Sequence, residues 1–390
     1  MVDDCASRAL ARALEVVCAR EKCVALRLSE SATREERLEA EAEVVWAREK
    51  YREETGRCFV EDEKVEGLKE LFEATQGYGW RRRDGWVGAS QAFPYGALRH
   101  WYGVTVRDDG SISLDLSCDG LSGSLPKTLP QHLLTIDLSN NDLTGDVPII
   151  TETTLRLLDL SHNRLTGGNN RIPTHIQVVD LSNNCLTGPL LLESVDLLES
   201  LDLSVNFFSG PLPSISKQLR VLRLSDNCFQ GSLVLNEDLC LEDLDLSHNA
   251  LSGALPKRWP STLRTLALSR NSFEGQIPNF DGCSFLTGLF LDSNHFSGQI
   301  PTFSSNIALT AINLSNNRLQ GPIPVFDQLP NLERLDLSKN PGLYGNSNCH
   351  LLHSLIDFAG PDGPHSRSHG HSRRFHPDQP GREKIHVESS

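Results

Sequence analysis

The sequence predicts an α/β solenoid, a superhelix of short repeated units whose strands form one concave parallel β-sheet. The pattern LxLSxNxLxGxLP recurs from about Leu114 to Leu343 and is clearest at 244–256. Its central polar residue recurs eleven times, from position 119 through 141 and 163 to 340, at spacings of 21 to 23 residues. Each copy also carries the alternating aliphatic residues of a strand, most of them leucine. A fixed period in this range is typical of stacked repeats.

The residues of one unit explain why the units must stack. Leu201 and Leu203 point to one face of a short strand, and the residue between them points to the other face. A single strand cannot bury its leucines, so neighbouring units must cover them. Parallel neighbours need a long crossover connection between them, and we expect the rest of each unit to supply it.

A column of asparagines is expected where the chain turns inward after each strand. A short amide can satisfy backbone groups that such a turn leaves unpaired, because buried polar groups are normally paired. The column consists of Asn141, Asn163, Asn184, Asn206, Asn227, Asn249, Asn271, Asn294, Asn317 and Asn340. Asp119 takes this position in the first unit, which lacks one neighbour. The pattern therefore predicts a structural ladder of amides.

The second half of the unit is most regular at 275–278, 298–301 and 321–324, which complete the pattern LxGxIP. This pattern resembles the plant-type leucine-rich repeat (LRR) of receptor ectodomains and polygalacturonase-inhibitor-like proteins of plants, found also in many eukaryotic microbes. The resemblance covers roughly residues 65–345. It implies an LRR superhelix with helical flanks and a protein-binding role.

The flanking sequences divide the chain into five segments. Residues 1–60 are expected to be a charged helical extension, with helices at 3–28 and 33–55, and residues 61–110 the N-terminal cap, with a helix near 63–75. Eleven repeats follow at 111–345, and then a short apolar C-terminal cap at 346–358. The His-, Arg-, Ser-, Gly- and Pro-rich tail at 359–390 should be disordered.

Three tryptophans, Trp80, Trp86 and Trp101, are expected to cover the first end of the solenoid. They lie in a Trp/Gly-rich segment that is similar to the N-terminal cap of plant-type repeats. A first strand has a free edge and an apolar end, which large aromatic rings can cover. The resemblance also implies cysteines two residues before Trp101 and five after it. Arg99 and Val106 stand there, so no cap disulfide is expected.

Composition and short sequence signals indicate the cellular location of the protein and the class of its partner. A formal net charge of −14 is unlike the basic surface of nucleic-acid binders. No window of about 18 apolar residues is present, so no membrane insertion is predicted. The first residues lack the basic start and apolar core of a signal peptide, the ten cysteines are scattered, and the only N-x-S/T triplet is at Asn313. We therefore predict a cytoplasmic protein; a secreted or membrane-associated one is the alternative.

Binding is expected on the concave face, along the central residue of each LxL. This column reads Asp115, Asp137, Asp159, Asp180, Asp202, Arg223, Asp245, Ala267, Phe290, Asn313 and Asp336. Its aspartates have three open explanations: the common form of the repeat, a basic partner, or hydrogen bonds to nearby Ser and Asn side chains.

The column loses its acidic character in the second half, where Ala267, Phe290 and Asn313 follow one another. Thr265, Gly288 and Ala311 are expected at the neighbouring exposed position and would form a small uncharged floor. Interface centres favour aromatic and Arg side chains. The predicted partner-binding residues are Phe290, Ala267, Asn313, Arg270, Arg264, Arg223, Asp202 and Asp245.

No catalytic signature is present among the common motifs, such as GxxxxGK[ST], HExxH or GxSxG. No cofactor or metal site is predicted, and a solvated tail is favoured over metal binding by its histidines. The sequence thus predicts a non-enzymatic recognition or scaffold module in signalling or regulation, with another protein or peptide as partner. The alternatives are a receptor-like component in defence or cell-surface signalling, or an enzyme inhibitor. The sequence does not specify an oligomeric state.

Overall fold

The computed structural model describes residues 60–86, 97–150, 154–167, 172–192, 195–236 and 238–345. The predicted helices at 3–28 and 33–55, the C-terminal cap and the tail lie outside these ranges. The one α-helix of the described residues is α1 (Val60–Ala74), where the sequence predicts a helix near 63–75. Two short 3₁₀ turns follow at Gly77–Gly79 and Ala97–His100.

In the described part of the chain, twelve strands form the concave sheet of a solenoid with eleven turns. They are β1 (Val104–Val106), β2 (Ile112–Asp115), β4 (Leu133–Asp137), β6 (Leu157–Asp159), β8 (Val178–Asp180), β10 (Ser200–Asp202), β12 (Val221–Arg223), β14 (Asp243–Asp245), β16 (Thr265–Ala267), β18 (Gly288–Phe290), β20 (Ala311–Asn313) and β22 (Arg334–Asp336). β1 pairs antiparallel with β2, and all later neighbours are parallel. Each unit thus adds one strand, as the period predicts.

A second row of strands lies in the half of the unit that sequence reasoning treats only as a crossover. One sheet contains β3 (Ser122–Ser124), β5 (Asp142–Asp146) and β7 (Arg164–Thr166). The other contains β9 (Thr187–Gly188), β11 (Phe207–Pro211), β13 (Cys228–Gly231), β15 (Ala250–Ala254), β17 (Ser272–Gln276), β19 (His295–Gly298), β21 (Arg318–Pro322) and β23 (Gly342–Tyr344). These strands begin just after the repeat Asn, and we refer to them as the second row.

The core lies between the two rows of strands. Leu201 and Leu203 are completely buried, as are their counterparts in most units. Phenylalanines of the second row stack in pairs, with ring centroids 6.2 Å apart for Phe208 and Phe229. Because each unit covers the leucines of the next, burial is continuous along the solenoid.

The ladder asparagines join each unit to the one before it. Asn249 Oδ1 accepts a hydrogen bond from the backbone N–H of Phe229, at 2.9 Å. Its Nδ2 donates to the carbonyls of Leu224, Leu246 and Ser247 at 2.9, 3.2 and 3.1 Å. The other ladder asparagines show the same arrangement, so a single amide satisfies backbone groups of two units at once.

The first end of the solenoid is closed by an aromatic cluster. Trp80, Trp86 and Trp101 are each 2–3% exposed. Ring centroids lie 4.9 Å apart for Trp80 and Trp86, and 4.7 Å apart for Trp86 and Trp101. The indole N–H of Trp80 donates to Thr75 O at 3.0 Å, and that of Trp86 to Tyr102 O at 2.9 Å. The rings are therefore buried without leaving these donors unpaired.

The residue before each repeat Asn or Asp119 adopts a left-handed backbone conformation. These residues are Cys118, Asn140, His162, Asn183, Val205, Asp226, His248, Arg270, Ser293, Asn316 and Lys339. Asn, Asp and His tolerate this region best among residues with side chains, whereas a β-branched residue is strained there. Val205, with φ of 56°, is the one β-branched member.

Val205→Asn should therefore stabilise the protein by about 1 kcal/mol, because Asn tolerates the left-handed conformation better. Chemical denaturation of the variant and the parent measures the difference. Val221→Asn, in strand β12, makes the same chemical change in extended backbone and should not stabilise. An unfolding free energy of Val205→Asn below that of the parent would contradict the strain at this position.

Candidate binding face

The central residues of the concave strands form one continuous column. Backbone pairing sets Asp202 beside Arg223, Arg223 beside Asp245 and Asp245 beside Ala267. Ala267 then pairs with Phe290, and Phe290 with Asn313. Neighbouring strands lie about 4.8 Å apart, so side chains of successive units are in reach of one another. Arg264 and Arg270 lie just before and after β16.

All seven aspartates of the column accept a hydrogen bond from the serine at the end of their own strand. Asp202 Oδ1 accepts hydrogen bonds from Ser204 N at 2.9 Å and Ser204 Oγ at 2.6 Å. The backbone N–H of the serine two residues on donates in the same way to Asp115, Asp137, Asp159, Asp180, Asp245 and Asp336. Of the three explanations for the acidic column, hydrogen bonding to Ser is the one visible in the geometry.

Asp180 has the most perturbed carboxyl group in this column. Burial raises its pKa from 3.8 to about 6, against the opposing effect of hydrogen bonds from Ser182. Asp202 and Asp159 on the neighbouring strands raise it further by charge repulsion. Burial likewise raises the pKa values of Asp159 and Asp245. Ionisation of these carboxyl groups in the folded protein is therefore unfavourable, first because they are buried and second because neighbouring charges repel them.

This shift predicts a pH-dependent stability. Because the folded pKa of Asp180 lies above the unfolded value of 3.8, the native state holds the extra proton between about pH 4 and 6. The unfolding free energy should therefore fall as pH rises through that interval and then level off. Asp180→Asn should reduce this fall, since Asn313 already accepts the same serine hydrogen bonds in its own unit.

Urea denaturation at several pH values between 4 and 7 measures this effect, with exposed Asp281→Asn as the control. If Asp180→Asn and the parent lose stability equally over the interval, the shift at Asp180 does not contribute.

The first interruption of the acidic column is Arg223, whose charge is neutralised within the protein. Arg223 Nε and Nη2 lie 2.9 and 2.7 Å from Asp243 Oδ2, and Nη1 lies 3.9 Å from Asp202 Oδ2. At the edge of the sheet, Glu242 bonds to Arg220 and also to Arg264 Nε, at 3.3 Å. The Arg264 guanidinium also lies 5.6 Å from the ring centroid of Phe285. Arg223 and Arg264 are thus already paired.

The second interruption consists of Ala267, Phe290 and Asn313 and contains the only aromatic residue of the central column. The Phe290 ring lies against Gly288 of its own strand: a Cβ added to Gly288 would come 2.9 Å from Phe290 Cε2. Gly288 and Ala311 are buried, with Ala311 only 3% exposed. The expectation that these two residues form an exposed floor is therefore wrong, because this position faces neighbouring side chains. Phe290 itself is partly exposed.

Asp292 supports this second interruption, and sequence reasoning missed it. Its Oδ1 accepts hydrogen bonds from Asn313 Nδ2, at 3.1 Å, and from Ser269 Oγ. Ala267 and Phe290 have no carboxylate to accept a hydrogen bond from a serine two residues on. Asp292 instead links its own unit to the units of Ser269 and Asn313 by hydrogen bonds. The available signal was Asp292 itself, which stands where the other ten units have Ser.

Arg270 is the remaining predicted binding residue. It is exposed, and within the described part of the chain its guanidinium has no ion-pair partner. The geometry thus brings Phe290, Ala267 and Asn313 together on adjacent strands, with one available cation at their edge. We call these four residues the concave patch.

Comparison with known proteins agrees with this fold. The family description Leucine Rich Repeat matches residues 154–174 and 240–261. Among solved structures, PEPR1–AtPEP1 is 30% identical over 72% of this chain and 45% of the matched chain, with a TM-score of 0.57. This chain has a leucine-rich-repeat fold and resembles plant-type leucine-rich-repeat proteins. The LRR protein spans less than half of the PEPR1 chain.

Two further structures resemble the LRR protein. A plant ice-binding protein is 24% identical over 74% of this chain and 99% of its own, with a TM-score of 0.56, which shows the fold alone. The LRR ectodomain of the Arabidopsis receptor kinase HAESA, in complex with a peptide hormone ligand, is 32% identical over 55% and 41% of the two chains, with a TM-score of 0.47. A comparison with curated proteins gave no significant match.

The comparisons do not support the predicted cytoplasmic location. Among the helices of the described residues, none is long and apolar enough to cross a membrane. Within the same residues the five cysteines are free thiols, of which Cys283 is buried.

Proposed function

We propose that the LRR protein is a recognition or scaffold module whose concave patch binds another protein or peptide. The observation that carries this proposal is the change in the central column. Seven acidic or paired positions, from Asp115 to Asp245, give way to uncharged Ala267, Phe290 and Asn313. Interface centres are depleted in carboxylates and enriched in aromatic and Arg side chains.

The contacts within the patch favour docking there over the rest of the face. Asp292 holds Asn313 and Ser269 in place, so the strands that present Phe290 are fixed before a partner arrives. Such preorganisation reduces the entropy lost on binding. Arg270 at the edge can pair with a carboxylate of the partner, whereas Arg223 and Arg264 would first have to leave their own partners.

A receptor-like role is the second candidate, and the likeness to PEPR1–AtPEP1 favours it. In that case the LRR protein would recognise its partner outside the cell, and the missing cap cysteines at Arg99 and Val106 would be a local departure. Both candidates use the same surface, so one experiment addresses the binding site of either.

The experiment is affinity capture with the intact chain, followed by titration of the purified partner against variants. Phe290→Ala should weaken binding by more than about 2 kcal/mol, or roughly thirtyfold. Phe207→Ala is the matched control, because Phe207 is 58% exposed on the second row of strands. Parent-like binding by Phe290→Ala, or equal losses in both variants, would place the partner elsewhere.

A further inference from the structure

The concave patch contains the one sequence motif that the proposed function leaves unused. Asn313-Leu314-Ser315 is the only Asn-x-Ser/Thr triplet of the chain. This triplet is the acceptor for N-linked oligosaccharides, which are bulky and polar. Asn313 does not belong to the ladder, and it is the only Asn of the central column, whose other ten positions carry other residue types.

The fold places this triplet beside Phe290. Asn313 is the tenth of the eleven residues of the concave column, is partly exposed, and pairs with Phe290 on one side and Asp336 on the other. Its Oδ1 accepts a hydrogen bond from Ser315 Oγ at 2.8 Å. Its Nδ2 is directed toward the unit that contains Phe290, since it donates to Asp292 at 3.1 Å. A group attached to this nitrogen would therefore leave the sheet over the patch.

We propose that Asn313 is an N-glycosylation site whose glycan covers Phe290 and closes the concave patch. The donor would be an oligosaccharide linked through pyrophosphate to a lipid. The amide nitrogen of Asn313 attacks C1 of the first sugar and forms a C–N bond. The bond from C1 to the pyrophosphate breaks, the lipid pyrophosphate leaves, and the amide gives up one proton. Because the folded sheet engages this amide, transfer precedes folding of the strand.

Glycosylation of Asn313 would therefore prevent a partner from binding at the concave patch. A sugar ring on Asn313 occupies the space above a strand about 4.8 Å from that of Phe290, so the glycosylated chain cannot admit a partner there. This consequence rests on the proposed function, whereas the presence and the location of the glycan do not. Chains that fold without entering the secretory pathway would keep the patch open.

The test is secretion of the full chain from eukaryotic cells behind an added leader, followed by mass spectrometry. We expect one glycan at Asn313, present also in Ser315→Thr and absent in Ser315→Ala. A peptide N-glycosidase should remove it and convert Asn313 to aspartate, the residue type that most other units carry at this position. A folded, secreted parent chain with unmodified Asn313 would overturn the proposal.

Hydroxyl-radical footprinting then locates the glycan. Labelling of Phe290 should be at least threefold slower in the glycosylated chain than after enzymatic release. Labelling of Phe207, on the second row, should not change. Equal labelling of Phe290 in both forms would overturn the covering of the patch. If instead the proposed function is wrong, Phe290→Ala will leave partner binding unchanged in the unmodified chain.

Discussion

Replacing Asn184 by Ala should lower the free energy of unfolding by about 3 kcal/mol, because each unsatisfied buried group costs roughly 1–3 kcal/mol. Asn184 Oδ1 accepts from Leu165 N at 2.9 Å. Its Nδ2 donates to the carbonyls of Leu160, Leu181 and Ser182 at 3.0, 3.1 and 3.2 Å. No water can replace the amide easily, since Asn184 is only 7% exposed. The loss would loosen the third unit from the fourth.

Asn183→Ala provides a matched control one residue away. It makes the same chemical change and therefore affects the unfolded chain similarly. Asn183 has a left-handed backbone at φ 55° and does not belong to the ladder, so its replacement should cost about 1 kcal/mol or less. Urea denaturation of both variants gives the comparison. Equal losses would mean that the ladder bonds contribute no more than the turn.

The second large effect is expected at the junction between the cap and the first unit. Asp119 is completely buried at the ladder position, and Arg82 of the cap donates from Nε to its Oδ1 at 2.8 Å. Arg82 Nη2 also donates to Ser117 O at 3.2 Å, and its guanidinium lies 4.3 Å from the Tyr102 ring centroid. Arg82 thus supplies the donor that a preceding unit supplies elsewhere.

Arg82→Ala should therefore destabilise the protein, because it leaves the buried Asp119 carboxylate without its partner, with the loss reduced by solvent screening at the half-exposed Arg82 side chain. Arg81→Ala, which removes a neighbouring exposed arginine, should cost much less. In the parent, Asp119→Asn should be neutral or destabilising. In the Arg82→Ala background it should stabilise, since an amide can donate to the carbonyls of its own strand.

Chemical denaturation of these variants forms a double-mutant cycle that measures the coupling between the two side chains. A coupling energy near zero, with Asp119→Asn acting alike in both backgrounds, would show that Arg82 does not hold the first unit.

The ladder and the central column were accessible from the sequence for a physical reason. Each unit packs against a near-copy of itself, so a local period of 21 to 23 residues also sets the register between strands. Aligning Asn206 with Asn227 is enough to place Asp202 beside Arg223, as the backbone pairing shows. The predicted burial of Leu201 and Leu203 follows from the same alternation.

Features that arise between units were not accessible in this way. The second row of strands depends on hydrogen bonds such as Phe207 N to Leu186 O at 2.8 Å, which no single unit specifies. The left-handed residue before each Asn varies from Cys118 to Lys339, so its composition gives no common signal. A shared backbone position with different side chains can be recognised only from the conformation itself.

The concave patch shows most clearly what the sequence determines and what the tertiary structure adds. The sequence by itself determined that Ala267, Phe290 and Asn313 occupy successive positions of one column, because the repeat period aligns them. Only the tertiary structure decided that Phe290 lies on Gly288 and that Asp292 bonds to Asn313. Those contacts depend on side-chain direction across three strands, which the order of residues along one strand does not specify.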